Sequence, residues 1–356
     1  MLNLISTLYT LGRPLSPLYG LIMQARFFLY RSGIWQREKM DVPVISVGNL
    51  TMGGTGKTPV VRYLARFLLR NGYKPAIISR GYGGKAREKV NMVSDGKTIL
   101  LDALQAGDEP RFLAESTPGV PVITGTLRTH PCHFAIKELS CDILILDDGF
   151  QHLAVSRDLD LVLFNALTLA GNNRVFPGGP LREPFSALSR ADAFFLTGSQ
   201  EITSSKVRQF IEFLLRRAPD RPVFLSTYSP TGCRKMGSAD PVSLQDIPSR
   251  LFGFCGIAEP ERFRKSLEDC GFILTGFLAL RDHQDYSPDH INALFQTAEE
   301  TGAEALITTE KDMVKLHKLH GLTPAPPLFS LDMDVGMDPA FDEYLLARLA
   351  AWQKRP

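Results

Sequence analysis

The sequence has few cysteines, and their spacing indicates neither a metal site nor a disulfide framework. Five cysteines occur in the 356 residues, at positions 132, 141, 233, 255 and 270. No two of them form a Cys-x-x-Cys pair and their number is odd, which argues against structural zinc and against a set of disulfides. A reducing compartment, the cytoplasm, therefore fits the chain best.

The chain also lacks a charge excess, an internal repeat and any low-complexity tract. The formal net charge of +2 is too small to indicate a nucleic-acid partner. Hydrophobic residues make up 44% and charged residues 22% of the chain, a composition typical of globular proteins. The length is sufficient for two domains of ordinary size.

Acidic residues are absent from the first 36 positions, which are rich in leucine, isoleucine and aromatic residues. Arg13, Arg26 and Arg31 interrupt the apolar runs, so none reaches the roughly 18 residues of a transmembrane helix. Two alternatives remain. The segment is an amphipathic helix or hairpin whose arginines meet anionic headgroups, or it packs on the chain's own core. We expect residues 1–40 to associate with a membrane surface.

Short apolar runs alternate with helical patterns along the rest of the chain. Predicted strands lie at 43–47, 75–79, 121–124, 143–146, 159–164, 193–196, 251–255, 272–278, 305–308 and 328–331. This alternation predicts an α/β fold with a mainly parallel sheet covered on both faces. Turn-forming residues at 219–222 and 227–240 predict a boundary between a domain at 41–220 and a smaller α/β domain at 221–356.

A glycine-rich turn follows the first predicted strand and precedes a helix, as in a phosphate-binding P-loop. Its residues are Thr51, Met52, Gly53, Gly54, Thr55, Gly56, Lys57 and Thr58. The lysine would reach the β- and γ-phosphates of ATP, and Thr58 would place its hydroxyl on Mg²⁺. Thr51 stands where the strict motif has its first glycine. The alternative is a glycine-rich turn with an incidental lysine.

Two carboxylates, Asp147 and Asp148, follow the apolar strand at 143–146. A P-loop requires an acidic partner for Mg²⁺ at the end of another strand, and this pair supplies one. The alternative is an ordinary Asp-Asp-Gly turn.

Phosphoryl transfer to a hydroxyl also needs a base, and Asp108 is a candidate. The same residue is equally suited to be a helix N-cap, because Glu109 and Pro110 follow it. His283 lies in a polar loop of the second predicted domain. It is either an ordinary surface histidine or a partner of Asp108 that comes into contact when the two domains close.

Four further residues are candidates for holding phosphate or substrate: Arg80, Tyr82, Arg128 and Arg182. The first two follow the second strand, at the ligand edge of a parallel sheet, and guanidinium groups give bidentate contacts to phosphate. Each arginine taken alone is more often a solvated surface residue. The segment 309–312, Thr-Glu-Lys-Asp, either faces the nucleotide or is a charged helix start.

Taken together these motifs resemble one family, the tetraacyldisaccharide 4'-kinases (lipid A 4'-kinases) of Gram-negative bacteria. The resemblance covers most of the chain and lies in an ordered set of segments: 46–49, 53–59, 79–83, 107–110, 147–152, 179–184, 282–283 and 309–312. Thr51 agrees with it, because this family does not require the first glycine of the P-loop.

The resemblance implies two α/β/α sandwich domains joined by a small β linker, the first P-loop NTPase-like, with the active site between them. It implies ATP and Mg²⁺ as cofactors and the 4'-hydroxyl of a tetraacylated glucosamine disaccharide 1-phosphate as acceptor, at the cytoplasmic face of the inner membrane. Asp108 would be the base and His283 its partner, with Lys57 and Asp148 also catalytic. Thr58, Asp147 and Asp148 would bind the metal. The resemblance also adds Glu183 to the residues that would hold phosphate or substrate.

Two other classes compete with the kinase hypothesis. A regulatory P-loop GTPase is disfavoured because residues 309–312 depart from the Asn-Lys-x-Asp pattern that reads guanine. A membrane-bound nucleotide sensor without catalysis is the other.

Overall fold

The computed structural model describes residues 2–199, 204–238, 240–282, 284–316 and 325–353. Among them, no helix is both long and apolar enough to cross a membrane. The helices are α1 Leu2–Gly12, α2 Ser16–Arg31, α3 Lys57–Arg70, α4 Ala103–Ala106, α5 Asp108–Ser116, α6 Thr129–Lys137, α7 Ser205–Arg217, α8 Pro260–Asp269, α9 Pro288–Glu300, α10 Glu310–Leu316 and α11 Pro339–Gln353.

The strands follow the predicted alternation closely. They are β1 Val44–Asn49, β2 Pro75–Ser79, β3 Asn91–Ser94, β4 Val122–Thr124, β5 Ile143–Asp147, β6 Leu159–Asn165, β7 Ala193–Thr197, β8 Val223–Lys235, β9 Pro241–Val242, β10 Arg250–Cys255, β11 Ile273–Ala279, β12 Ala305–Thr309 and β13 Leu328–Met337. The mainly parallel α/β fold predicted from the sequence is confirmed.

The described strands pair into one continuous sheet in the order β11-β10-β12-β13-β8-β7-β6-β1-β5-β2-β4-β3, with β9 beside β8. Most pairs are parallel, but β8 and β13 run antiparallel over almost their whole length. This long pair joins the first part of the sheet to the second. Residues 227–235, where the sequence predicted turns, belong to β8, because cross-strand hydrogen bonds to β13 hold them extended.

Successive residues of each strand in the first part of the sheet face opposite layers, as the strand geometry requires. Ile45 and Val47 pack with α3, α5 and α11 on one face, whereas Val44 packs toward α6 on the other. The second part repeats this arrangement, with α8 on one face of β10 and β12 and with α9 and α10 on the other. Layers of helix, sheet and helix therefore cover both parts.

The C-terminal helix α11 returns to the first part of the molecule. Phe341, Leu345 and Leu349 belong to the same buried cluster as the β1 side chains, and the ring of Phe341 lies 4.7 Å from that of Phe195 in an edge contact. The division into residues 41–220 and 221–356 stays a prediction. We propose that α11 be grouped with the first domain.

Helices α1 and α2 are joined by a 3-10 turn at Arg13–Leu15, and this N-terminal helical segment docks on the loop before residue 185. The Oγ of Ser16 donates to the Val175 carbonyl and accepts from the Gly178 N–H, both at 2.8 Å. Tyr19 and Phe176 meet edge to face at 5.6 Å. One side of the segment thus packs on the rest of the chain. Large apolar side chains of the segment remain exposed: Leu8, Leu11, Leu15, Leu18, Leu21, Ile22 and Phe28.

Candidate active site

The glycine-rich turn joins β1 to the N-terminus of α3. Its backbone depends on glycine at two positions, since Gly53 has φ of 108° and Gly56 has φ of 73°. Side chains with a Cβ adopt this left-handed region at a cost. At Gly56 a Cβ would also collide with the hydroxyl oxygen of Tyr228. The local sequence and the packing of β8 therefore both require glycine here.

Polar residues at the carboxyl ends of β6 and β7 hold the turn in place. Thr197 donates to the Thr55 carbonyl at 2.8 Å, and the side-chain amide of Asn165 donates to the Gly54 carbonyl at 3.2 Å. The backbone N–H of Met52 donates to the Pro180 carbonyl at 2.7 Å. The loop is thus fixed from the C-terminal edge of the parallel sheet, which is the ligand edge of such folds.

The second part of the chain covers the same turn. A Cβ on Gly54 would lie 3.3 Å from the Cβ of Ala258, and Asn165 also donates to Glu259 at 2.6 Å. The guanidinium of Arg262 stacks on the Tyr228 ring at 4.3 Å. The candidate site therefore lies between the first and second parts of the chain.

Asp147 and Asp148 end β5 beside this turn and have contrasting surroundings. Burial raises the pKa of Asp147 to about 6, and the carboxylates of Glu109 and Asp148 act in the same direction. Burial alone would raise the pKa of Asp148 too, but Lys57 at 3.4 Å and Arg182 at 2.9 Å outweigh it and hold the pKa at about 2. The structure brings both predicted carboxylates to Lys57 and the P-loop.

Two residues that the sequence analysis did not assign to the site lie beside Thr58: Glu109 contacts it, and Lys311 contacts Glu109. The Thr58 hydroxyl donates to Oε1 of Glu109 at 3.3 Å, and the same oxygen lies 2.6 Å from Nζ of Lys311. Glu109 was considered only as part of a helix start beside Asp108. Lys311 belongs to the segment 309–312, for which the sequence left two alternatives open. Its position beside Glu109 favours the alternative in which this segment faces the nucleotide site.

Asp108 is the first helical residue of α5, half-buried, with Nζ of Lys315 3.7 Å from its Oδ2. Gly107, not Asp108, is the N-cap, and no side chain caps this helix end. The N-cap alternative for Asp108 is therefore wrong, because the preceding glycine already has the non-helical conformation that a cap requires. His283 lies outside the described residues.

Arg128 is buried behind the acidic pair, not exposed. Its guanidinium donates to the Asp148 carbonyl at 2.9 Å, and its backbone N–H donates to Nε2 of His152 at 3.3 Å. Burial lowers the pKa of Arg128 and, together with the positive charges of Arg128 and Arg157, lowers the pKa of His152 to about 3. The imidazole is therefore neutral, which agrees with Nε2 acting as an acceptor.

The remaining candidates lie at different distances from this centre. Arg182 binds Asp148 directly. Glu183 forms a buried ion pair with Arg190 at 2.8 Å, which directs its carboxylate away from solvent. Arg80 and Tyr82 follow β2 and are exposed, Tyr82 to 78%.

The oxygen donors beside the P-loop fit a magnesium ion. Thr58, Asp147 and Asp148 present hydroxyl and carboxylate oxygens, the ligand type that Mg²⁺ prefers. Within the described residues no three His, Cys, Asp or Glu side chains converge tightly enough to hold a metal by themselves. Burial raises the pKa of Asp147, with a further contribution from the carboxylates of Glu109 and Asp148, and a divalent cation beside them would favour the ionised form.

Because the glycine-rich turn precedes a helix that starts with Lys57 and has Asp148 beside that lysine, the site has the layout of a nucleotide-dependent phosphotransferase. The family model described as tetraacyldisaccharide-1-P 4'-kinase matches residues 8–350. The chain belongs to the tetraacyldisaccharide 4'-kinase family, and it is accordingly a kinase.

Individual relatives agree with this assignment. The chain is 48% identical over 345 residues to the tetraacyldisaccharide 4'-kinase of Desulfotalea psychrophila, covering 97% of this chain and 98% of the relative. It is 39% identical over 349 residues to that of Syntrophus aciditrophicus, covering 92% of each. It is also similar to the crystal structure of LpxK from Aquifex aeolicus in complex with ATP, with a TM-score of 0.74 and 29% identity over 97% of this chain and 99% of the other.

Proposed function

We propose that this chain uses ATP and Mg²⁺ to phosphorylate the 4'-hydroxyl of a tetraacylated glucosamine disaccharide 1-phosphate. The observation that carries the proposal is the meeting, at one edge of the sheet, of Lys57, Thr58 and the acidic pair with Asp108 at the start of α5. The first set suits a triphosphate, and Asp108 is a carboxylate suited to an acceptor hydroxyl. The ATP complex of the Aquifex aeolicus relative supports the choice of nucleotide.

Each group has a defined task in this proposal. Lys57 and the turn's N–H groups bind the β- and γ-phosphates, because they present positive charge at a helix N-terminus. Mg²⁺, held by Thr58 and Asp147 or Asp148, would neutralise charge on the transferred phosphoryl group. Asp108 accepts the proton of the sugar hydroxyl as the hydroxyl oxygen bonds to the γ-phosphorus of ATP, whose bond to the β-phosphate oxygen breaks to release ADP. His283 would tune Asp108 when the two parts of the chain close around the substrate.

The lipid acceptor accounts for the exposed apolar side chains of the α1–α2 segment. Arg13, Arg26 and Arg31 supply positive charge on the same segment, which has no acidic residue to oppose it. A helical segment of this kind binds a bilayer surface through its leucines and attracts anionic headgroups. We propose peripheral association with the cytoplasmic face of the inner membrane, where the acceptor's acyl chains are embedded.

The decisive experiment is γ-phosphate transfer from labelled ATP to the tetraacyl disaccharide 1-phosphate, measured for the wild type, Lys57→Ala and Asp108→Asn. We expect Lys57→Ala to lose both nucleotide affinity and transfer. Asp108→Asn should keep ATP affinity and lose transfer by a factor on the order of 10² to 10⁴, the usual contribution of a general base. Normal transfer by Asp108→Asn would remove the base assignment.

The same preparation separates the kinase from its two rivals. Competition between ATP and GTP tests the GTPase alternative, which requires a strong preference for GTP. Failure of the wild type to transfer phosphate to the native lipid, with intact ATP binding, would favour a nucleotide sensor.

A further inference from the structure

Helix α10 presents two lysines, four positions apart, to two consecutive carboxylates at the start of α5. Lys311 lies 2.6 Å from Glu109, and Lys315 lies 3.7 Å from Asp108. Residues four apart share one face of a helix, so a single face of α10 addresses both carboxylates. Lys311 and Glu109 are 202 positions apart in the chain, so tertiary folding alone brings them together.

Apolar and ionic contacts fix α10 in this position. Val314 packs with Phe112 of α5 and Ala103 of α4 in a small buried cluster. At the start of α10, Glu310 pairs at 3.0 Å with Arg62, whose guanidinium also lies 5.6 Å from the centre of the Phe112 ring. The helix α10 is thus held against both α3 and α5, which places Lys311 and Lys315 against the start of α5.

Lys315 is buried, with 5% of its surface exposed. Its ammonium lies 3.3 Å from Asp312, which is itself fully buried and accepts hydrogen bonds from the Gly256 N–H and the Thr309 hydroxyl. Buried ion pairs contribute little net stability compared with apolar side chains of the same size. The same ammonium also lies 3.7 Å from Asp108, so this buried charge lies between Asp312 and the proposed base.

Lys311 is adjacent to the phosphate-binding turn. The carboxylate oxygen of Glu109 that binds its ammonium also accepts the hydroxyl hydrogen of Thr58. Glu109 and the nearby Asp147 place negative charge where a triphosphate would bind, and like charges repel strongly in a partly buried site. Lys311 provides the compensating positive charge from the second part of the chain.

We propose that Lys311 and Lys315 are positioning residues of the phosphoryl-transfer site with separate tasks. Lys311 neutralises Glu109 beside Thr58 and thereby allows the triphosphate to bind. Lys315 holds the Asp108 carboxylate in the orientation in which it accepts the proton of the acceptor hydroxyl. The task of Lys315 rests on the proposed role of Asp108, whereas the task of Lys311 requires only that the turn binds ATP.

The test compares Lys311→Met and Lys315→Met, with Lys265→Met, an exposed lysine of α8, as control. ATP affinity is measured calorimetrically in EDTA, and kcat and KM are measured separately with Mg²⁺. Lys311→Met should weaken ATP binding on the order of tenfold, equivalent to about 1.4 kcal/mol. Lys315→Met should leave ATP affinity within about twofold and lower kcat on the order of 10². The control should change neither quantity, and Lys→Arg at either position should restore part of the loss.

Several outcomes would overturn the proposal. Unchanged ATP affinity in Lys311→Met rejects the task of Lys311, and unchanged kcat in Lys315→Met rejects that of Lys315. If Lys315→Met fails to fold, Lys315→Gln retains a hydrogen-bond donor, and failure of both shows that Lys315 is structural. Full transfer by Asp108→Asn would refute the base assignment and leave the ATP-affinity result for Lys311 standing, so the two failures are distinguishable.

Discussion

Asp147 and Asp148 are adjacent, but β5 ends between them and their pKa values are shifted in opposite directions. Asp147 is still within β5 and lies fully buried, so its pKa rises to about 6, whereas Asp148 turns toward Lys57 and Arg182 and its pKa falls to about 2. The sequence predicted that both carboxylates serve the metal and that Asp148 is also catalytic. In the structure Asp148 is paired with Lys57 and Arg182, whereas Asp147 is buried and accepts a hydrogen bond from Ser79 at 3.0 Å. The metal assignment of both stays a prediction.

The buried ion pair of Glu183 and Arg190 leads to a prediction about stability. Glu183→Gln leaves the Arg190 charge buried without its partner, so we expect a loss of about 3–5 kcal/mol in the free energy of unfolding. Urea unfolding measures it. The matched control is Glu268→Gln, which breaks the exposed pair with Arg264 and should cost at most about 1 kcal/mol. Similar losses for both variants would contradict the structural role of Glu183.

His152 gives a prediction about pH. Its pKa is lowered to about 3 in the folded chain, so between that value and its ordinary value of 6.5 the unfolded chain binds more protons than the folded one. The free energy of unfolding should therefore rise with pH across this window. His152→Gln should flatten this part of the profile, as measured by urea unfolding at several pH values. An unchanged slope would show that the imidazole is protonated in the folded state.

At the scale of elements, the turn between β1 and α3 combines a local and a non-local requirement. The sequence alone indicates glycines that turn backbone N–H groups inward. Only the fold places Tyr228 of β8 against Gly56, with its hydroxyl donating to the Gly56 carbonyl at 3.3 Å. The conformation of the turn therefore depends on the position of Tyr228 in β8 as well as on the glycines of the turn itself.

Gly56→Ala and Gly72→Ala form a matched pair that separates these requirements. Both positions have positive φ, but a Cβ at Gly72 meets nothing within 4 Å, whereas one at Gly56 collides with Tyr228. We expect Gly72→Ala to cost about 1–2 kcal/mol of stability, from backbone strain, with unchanged ATP affinity. Gly56→Ala should in addition lose ATP binding, measured calorimetrically. Equal ATP affinity in the two variants would refute the importance of the Tyr228 contact.

At the scale of the whole molecule, one sheet runs through both parts of the chain and the site lies where they meet. Strands β8 and β13 connect the parts, and α11 returns to the first core after the second part is complete. The β8–β13 pair is therefore the part of the sheet that links the two parts of the chain.

The exposed side chains of the α1–α2 segment lead to a prediction about membrane association. The double variant Leu11→Glu and Leu18→Glu should weaken binding to liposomes containing anionic lipid, because both side chains are exposed and would no longer enter the acyl region. Leu100→Glu and Leu346→Glu, also at exposed positions, form the control pair and should bind as the wild type does. Sedimentation with liposomes measures both. Equal partitioning would assign the segment to internal packing alone.

The order of strands and helices was predictable from the sequence because it depends on local periodicity. The apolar runs defined the buried strands, and the glycines before Lys57 and Thr58 defined the phosphate-binding turn. Asp147 and Asp148 were predictable for the same reason, since carboxyl ends of parallel strands share one edge. Each of these inferences uses residues that are close in the chain.

Tertiary structure decided what depends on residues far apart in the chain. It placed Lys311 on Glu109 and Lys315 on Asp108, buried Glu183 against Arg190, and continued β8 through a segment whose residues favour turns. No local pattern encodes these outcomes, because each depends on where a distant element packs and on which charges are then excluded from water. The sequence by itself determined the chemistry of the site; the fold determined which side chains carry it out.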